Sequence, residues 1–432
     1  MNPHALVRPL EASWQDVLDA VLRSVTRPSL STRDVAKLAP KVEELSRAYN
    51  AGQAEGRRTK LPLEARVAFS FPRDVPKGAA AVRELVASGA LTMPAGRPLR
   101  VLDLGAGLGA MTWGLVRALV AGGATGRVEA LLVDEDGEVL RTAEALARQA
   151  RATLGPLPID LAATTRVQSL DAYGSRGDSE GRANHTRYDI VLLGQVLSEI
   201  DPRSLPMDRV ETQAALIARL LDTVLAPDGA LVIVEPALRE RTRHLHFVRD
   251  RLLANESVSA FAPCLHRATC PMLAIDTEWC HEDLAVDLPS WVAPLARAAG
   301  LRWQGLTFSY LVLRKDGRVP VPRIAPGTGV RFRAVSDVLR TKGKGELFVC
   351  GEDGARRRVR RLDRDEGFGS GVSLFELRRG DIVTLRAGTS IASGESGSTA
   401  AASAAPVAPP IDDRGRVARD VHVAIDVGSS RK

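Results

Sequence analysis

Two stretches of the chain combine residue types and spacings that point to chemistry: a glycine-rich turn and a set of cysteines. In VLDLGAGLG, Val101 to Gly109, an apolar run reaches Asp103 and then Gly105, Ala106, Gly107 and Gly109, where a helical pattern begins near Ala110. Gly105 and Gly107 let the backbone turn sharply and approach a ligand closely, as a nucleotide-type site requires. Dinucleotide enzymes share this glycine spacing, so the glycines alone do not select the ligand. The four cysteines, Cys264, Cys270, Cys280 and Cys350, are separated by 5, 9 and 69 residues. Three fall in FAPCLHRATCPMLAIDTEWCHEDL, which has too little apolar periodicity to be a helix with small buried thiols, and Pro263 and Pro271 hold it extended. Four thiolates suit tetrahedral zinc or an iron-sulfur cluster. The irregular gaps lack the paired C-x-x-C knuckles common at structural zinc and favour the cluster. His266 and His281 supply a zinc alternative, and buried thiols without metal are a third.

The D-x-G-x-G form of the turn resembles motif I of class I S-adenosylmethionine-dependent methyltransferases. That likeness implies a role for Asp103 in contacting the amino-acid part of the ligand or in ordering the glycine loop. The second apolar run ends in LLVDEDG, making Asp134 the candidate acceptor for the ribose hydroxyls, with Asp136 as the fallback. Asp134 lies 29 residues past Gly105 rather than about 20, and the insertion AGGATGR accounts for the difference. Asp171, read as the end of a third strand, is the candidate contact for adenine, and Gln195, just after a fourth, faces the same crevice. Catalytic machinery is not visible. The Pro-rich aromatic sequence usual in amino-group methylases is replaced by LLGQVLSEI, and Pro263-Cys264 follows the fifth strand inside the cysteine cluster, a poor place for a nucleophile. Glu199 and Glu235 lie near strand ends and read chiefly as surface or capping carboxylates.

These sites need a scaffold, and 432 residues at roughly 150 per domain suggest two or three domains. Residues 1–96 read as helical, from spacings such as Trp14, Val17, Leu18, Val21 and Leu22, with Pro76 near the start of the last helix. Residues 97–255 alternate strand-like runs (LRVLDLG, VEALLVD, RVQSLDA, YDIVLLG, ALVIVEP) with helical ones, the pattern of a doubly wound, mostly parallel sheet. Residues 256–318 hold the cysteines and the last strands of the sheet, 319–391 a small basic β domain, and 392–432 an Ala-, Ser-, Gly- and Pro-rich tail expected to be mostly disordered. The fold class is therefore α/β: a Rossmann-like domain with a helical N-terminal region, a cysteine-rich metal-binding insertion and a small C-terminal β appendage. Formal net charge is +7, yet Arg314 to Arg364 alone holds fifteen Lys or Arg against six Asp or Glu. Such a segment suits nucleic-acid phosphates, and 4% aromatic content argues for backbone contacts over base stacking. No run reaches the roughly 18 apolar residues of a membrane span, and Glu11 and Asp16 interrupt any signal-like stretch. The cytoplasm is the expected compartment, with no membrane partner, and a monomer is marginally favoured.

Taken together, LEARVAFSFPRDVPKGAAAVRELV, VLDLGAGLGAMTW, VIVEP, APCLHRATCP with EWCH, and ELFVCGEDG resemble the mitochondrial ribosomal small-subunit, Rsm-type (methyltransferase-like protein 17) family and its bacterial relatives, from about Ala65 to Val383. The resemblance implies a methyltransferase fold, assembly or maturation of the small ribosomal subunit, binding near its rRNA, and a 4Fe-4S cluster on Cys264, Cys270, Cys280 and Cys350. Cys350 would then clip the β appendage onto the methyltransferase-like domain. Leu265 and Glu282 depart from the residues common at those positions, but neither is an implied ligand. Three functions follow as expectations: S-adenosylmethionine-dependent rRNA methylation, noncatalytic small-subunit assembly that uses the fold to bind RNA, and, more weakly, small-molecule methylation.

Overall fold

The computed structural model describes residues 2–51, 61–170, 187–201, 203–325, 327–387 and 410–427. The chain divides into two compact units, one of Met1–Pro263 and Met272–Pro320, the other of Cys264–Pro271 and Val321–Lys432. The cysteine-rich segment, expected to be one insertion, is thus divided: Cys264 and Cys270 go with the second unit and Cys280 with the first.

The first unit holds strands β1 (Leu99–Leu104), β2 (Gly126–Asp134), β3 (Ile159–Val167), β4 (Tyr188–Gly194), β5 (Leu225–Glu235), β6 (Ser259–Ala262), β7 (Glu282–Leu284) and β8 (Leu306–Arg314). They form one sheet in the order β3-β2-β1-β4-β5-β8-β6, with β7 paired to β8. Strands β1 to β5 are parallel, and β8 runs antiparallel to both β5 and β6. This is a Rossmann-like sheet with an antiparallel edge, as expected. Central strands β1 and β4 are largely buried, with apolar runs Val101–Leu102 and Ile190–Leu193 at their middles. Strand order reverses between β1 and β4, which opens a crevice at their carboxyl ends. One strand departs from expectation: the third spans Ile159–Val167 rather than RVQSLDA. As an edge strand it buries only Ile159 and Leu161 and so lacks the apolar run of its neighbours. Asp171 therefore does not end it, and lies outside the described residues.

Helices α1 (Ser13–Val25) and α2 (Val35–Ala51) precede a short turn α3 (Leu63–Ala65), a wide turn over Arg66–Ser70, and α4 (Phe71–Ala87). Proline 72 sits at the start of α4 while Pro76 lies inside it, not near its start as expected. Helix α5 (Ala110–Ala121) follows β1, and α4 lies directly on it: a Cβ on Gly114 would stand 2.5 Å from the Val75 carbonyl oxygen and 2.6 Å from Ala79 N. Trp14 joins both helices, edge-on to Trp113 at 4.9 Å and tilted against Phe71 at 5.8 Å. The remaining helices are α6 (Gly137–Leu154), α7 (Pro206–Arg219), α8 (Arg239–Leu253) and α9 (Ala293–Ala298). Among the described residues no helix is long and apolar enough to cross a membrane.

The second unit is a β structure of β9 (Val330–Ala334), β10 (Leu339–Thr341), β11 (Lys344–Gly351), β12 (Arg356–Leu362), β13 (Ser370–Gly371), β14 (Ile382–Arg386) and β15 (His422–Val427). Their order is β10-β11-β9-β14-β15-β13, with β12 on β11. Its own core includes Phe332, Leu347, Val349, Val359, Val383 and Leu385. Strand β15 gives residues 422–427 of the tail, expected to be mostly disordered, a place in the sheet, while 392–409 and 428–432 lie outside the described residues. Averaged over forty residues, the small-residue composition hid the alternating VHVAIDV that pairs with β14.

Candidate functional site: the glycine loop at the crevice

The loop leaving β1 is built from left-handed backbone. Gly105, Gly107 and Gly109 have φ of 63°, 53° and 77°, a region that favours glycine. Gly105 needs it twice over, since a Cβ there would lie 2.2 Å from Val196 Cγ1 in the segment after β4. That close approach brings the glycine loop and the post-β4 segment together. Ala106 is nearly buried and donates its N–H to the Val133 carbonyl at 3.0 Å, tying the loop to β2.

Asp103 is fully buried. Its Oδ2 accepts from Thr112 Oγ1 at 2.7 Å and from Thr112 N at 3.3 Å, so it fastens the first turn of α5 to β1. Burial pushes its carboxyl up to about 7. Its Oδ1 has no hydrogen-bond partner among the described residues.

Asp134, at the end of β2, accepts the Gly107 N–H at 2.9 Å on Oδ2 and the Asp136 N–H at 3.0 Å on Oδ1. It is half-buried and keeps further lone pairs for hydroxyl donors. Asp136 is the N-cap of α6, accepting from Glu138 N at 3.0 Å and Val139 N at 3.2 Å. Both capping bonds fall on Oδ1.

Gln195 holds φ 61°, an unusual angle for a side-chain-bearing residue, and its N–H meets the Val234 carbonyl at 2.6 Å. The segment after it is pinned by buried groups. Glu235 Oε1 accepts from Leu197 N at 3.0 Å. Gln213 Nε2 donates to the carbonyls of Leu197 and Ile200 at 2.7 and 3.2 Å, and its Oε1 lies 2.8 Å from His244 Nε2. Since that amide oxygen only accepts, His244 carries its proton on Nε2. Burial raises Glu235 to about 7 and lowers His244 to about 4. Glu235 is thus a capping carboxylate, as its position suggested, while Glu199 is exposed.

Sequence reasoning missed Arg66. From the wide turn before α4 it reaches the glycine loop: its Nη2 lies 3.2 Å from where a Gly107 Cβ would stand, and its Nη1 is 3.8 Å from Asp136 Oδ2. Gln213 and His244 were missed as well, because single polar residues on amphipathic helices carry no local signal.

None of the four cysteines is in a disulfide. In the second unit Cys350 Sγ lies 3.3 Å from His266 Nε2, and in the first Cys280 N donates to His246 Nε2 at 3.3 Å. Burial lowers His246 to about 3. The thiols have the donor chemistry of a metal centre, but among the described residues no group of three or more His, Cys, Asp or Glu is arranged to hold an ion. The cysteine-rich metal-binding insertion expected from the sequence is not supported by this arrangement. Linear gaps of 5, 9 and 69 residues carry no information on which compact unit each thiol joins.

Solved structures of similar trace include the plantazolicin methyltransferase BpumL in complex with SAH, at 11% identity over 65% of this chain and 98% of that one, with TM-score 0.31. A class I S-adenosylmethionine-dependent methyltransferase from Listeria monocytogenes shares 13% identity over 72% and 91%, with TM-score 0.31. A SAM-dependent methyltransferase from Agrobacterium tumefaciens shares 17% over 57% and 62%, with TM-score 0.30. At such scores these likenesses have no bearing on ligand or substrate. No curated protein sequence matches the chain. The family model of the mitochondrial small ribosomal subunit protein Rsm22 matches residues 65–369, more than two thirds of the length, and the chain belongs to that family.

Proposed function

We propose that the chain is a methyltransferase-like protein of the small ribosomal subunit that binds S-adenosylmethionine at the crevice between β1 and β4. The observation that carries the ligand is the Gly107–Asp134 hydrogen bond at the point of strand-order reversal. It holds the glycine loop beside a carboxylate suited to paired ribose hydroxyls. Asp134 binds, Gly105, Ala106, Gly107 and Gly109 allow close backbone approach, Asp103 and Thr112 hold the loop, and Gln195 borders it. Asp171 stays the candidate for adenine. The bound ligand supplies an electrophilic sulfonium methyl. Titration calorimetry with S-adenosylmethionine tests this: Asp134→Ala weakens binding at least about tenfold, the loss of a charged hydrogen-bond acceptor, while folding persists. A folded parent protein that gives no binding heat and no thermal shift with the ligand overturns it.

The noncatalytic reading is favoured by one finding. Glu235, the carboxylate nearest the crevice on β5, is 2% exposed and committed to the Leu197 N–H, which leaves it unable to take a proton from an acceptor. A protein that binds the ligand yet transfers no labelled methyl to immature small subunits is the expected result; transfer establishes rRNA methylation instead. For the cysteines the iron-sulfur reading rests on their donor chemistry and on the family resemblance, with zinc as the alternative. Iron, sulfide and zinc per chain, measured after purification without oxygen, separate them: iron with sulfide supports the cluster, zinc without sulfide a structural clip, and no metal removes both.

A further inference from the structure

The second unit contains four phenylalanines and neither Trp nor Tyr. Phe332 belongs to the core, at 1% exposure. Each of the other three carries a guanidinium on its ring: Arg356 over Phe348 at 4.2 Å, Arg340 over Phe375 at 3.7 Å and Arg419 over Phe368 at 3.3 Å. The first of these stacks sits in an ordered row. In the β11–β12 register Cys350 faces Arg356, Phe348 faces Arg358 and Glu346 faces Arg360, and directly opposed residues of an antiparallel pair project from the same face. Leu347, Val349 and Val359 take the other face into the core. Glu346 is the one carboxylate in the row, 2.9 Å from Lys344 Nζ and 3.8 Å from Arg358 Nε. Arg358 is more than half exposed. Among the described residues Arg360 has no carboxylate partner, and its Nε is buried without an acceptor.

We propose that this face of β11 and β12 binds unpaired RNA, with a base stacked on the guanidinium-covered Phe348 and phosphates held by Arg358 and Arg360. The inference rests on the small-subunit reading and adds to it the form of RNA bound and the residues that bind it. An acidic peptide needs charge alone. A planar guanidinium lying on a ring adds a flat, charged platform that matches a nucleobase beside its phosphate. Low aromatic content does not preclude stacking when arginine supplies the plane.

The test uses the full chain with a labelled, unstructured 12-nucleotide RNA, the corresponding RNA duplex, polyglutamate and purified small subunits. Arg358→Gln with Arg360→Gln weakens single-strand binding about tenfold and lowers the log–log salt slope by about 1.4, at roughly 0.7 per phosphate contact. A variant with lysine at 356, 358 and 360 keeps the slope but loses the preference for single strand over duplex, because charge survives and the plane does not. Unchanged single-strand affinity in the glutamine variant overturns the proposal, as does equal weakening toward polyglutamate, which marks an acidic protein partner. Loss of the single-strand preference is read only in variants whose melting matches the parent. If the variants bind RNA like the parent and the parent still sediments with small subunits, this inference alone fails. If the parent binds the oligonucleotide but not small subunits, the small-subunit reading fails.

Discussion

Asp134 spends both carboxylate oxygens on backbone N–H groups, one from the glycine loop and one from the turn into α6. Asp136, two residues on, caps α6 through Oδ1 alone, and its Oδ2 lies 3.8 Å from Arg66 Nη1. The sequence LLVDEDG offered either, and the Gly107 N–H contact is what sets Asp134 beside the glycine loop. Gly105 was legible because a strand entering a helix through D-x-G-x-G demands left-handed backbone. What lay beyond reach was its second constraint, the Val196 side chain from a distant segment. Gly105→Ala should cost about 2 kcal/mol or more, measured by denaturant unfolding, and Val196→Ala in that background should restore only part, since φ of 63° persists. Glu235 gives a pH test. Its folded pKa is raised to about 7, so the folded state holds a proton that the unfolded state has released, and its contribution to stability falls as pH rises from about 4.5 toward 7. Glu235→Gln keeps an oxygen for Leu197 N and cannot ionise. The variant's thermal midpoint should therefore rise relative to the parent's across that window; a pH-independent difference would contradict the buried-carboxyl account.

At the scale of elements, Gly114 of α5 lets that helix approach the backbone of α4. A methyl on Gly114 would stand 2.5 Å from the Val75 carbonyl oxygen. Alanine is the better helix former by about 1 kcal/mol, yet Gly114→Ala should lower the melting temperature, with overpacking costing about 1–3 kcal/mol. The opposite signs make a simple melt decisive. Buried strands β1, β4 and β5 could be read directly, as continuous apolar runs. Edge strand β3, with polar residues on its exposed positions, could not. The same physics hid β15, a six-residue strand at the end of a small-residue stretch. Arg66 was invisible for another reason, since nothing in a wide turn before a helix announces which loop its guanidinium will reach.

For the whole molecule, two compact units, each with a hydrophobic core among the described residues, imply two cooperative transitions. One core gathers α1, α4, α5 and the parallel sheet, the other the strands around Phe332 and Val383. Calorimetry should resolve both, and S-adenosylmethionine should raise only the first. Removing residues 410–432 takes β15 from β14 and should lower only the second; a single transition that shifts as one would show that the cores unfold together. The order of the chain adds a constraint in time. The second unit begins with Cys264–Pro271 but its sheet closes only with β15, at Val427. A ribosome synthesising this protein releases the first unit's residues through Pro320 while that strand is still unmade. Cys264 and Cys270 therefore emerge from the ribosome before the sheet of their own unit can form.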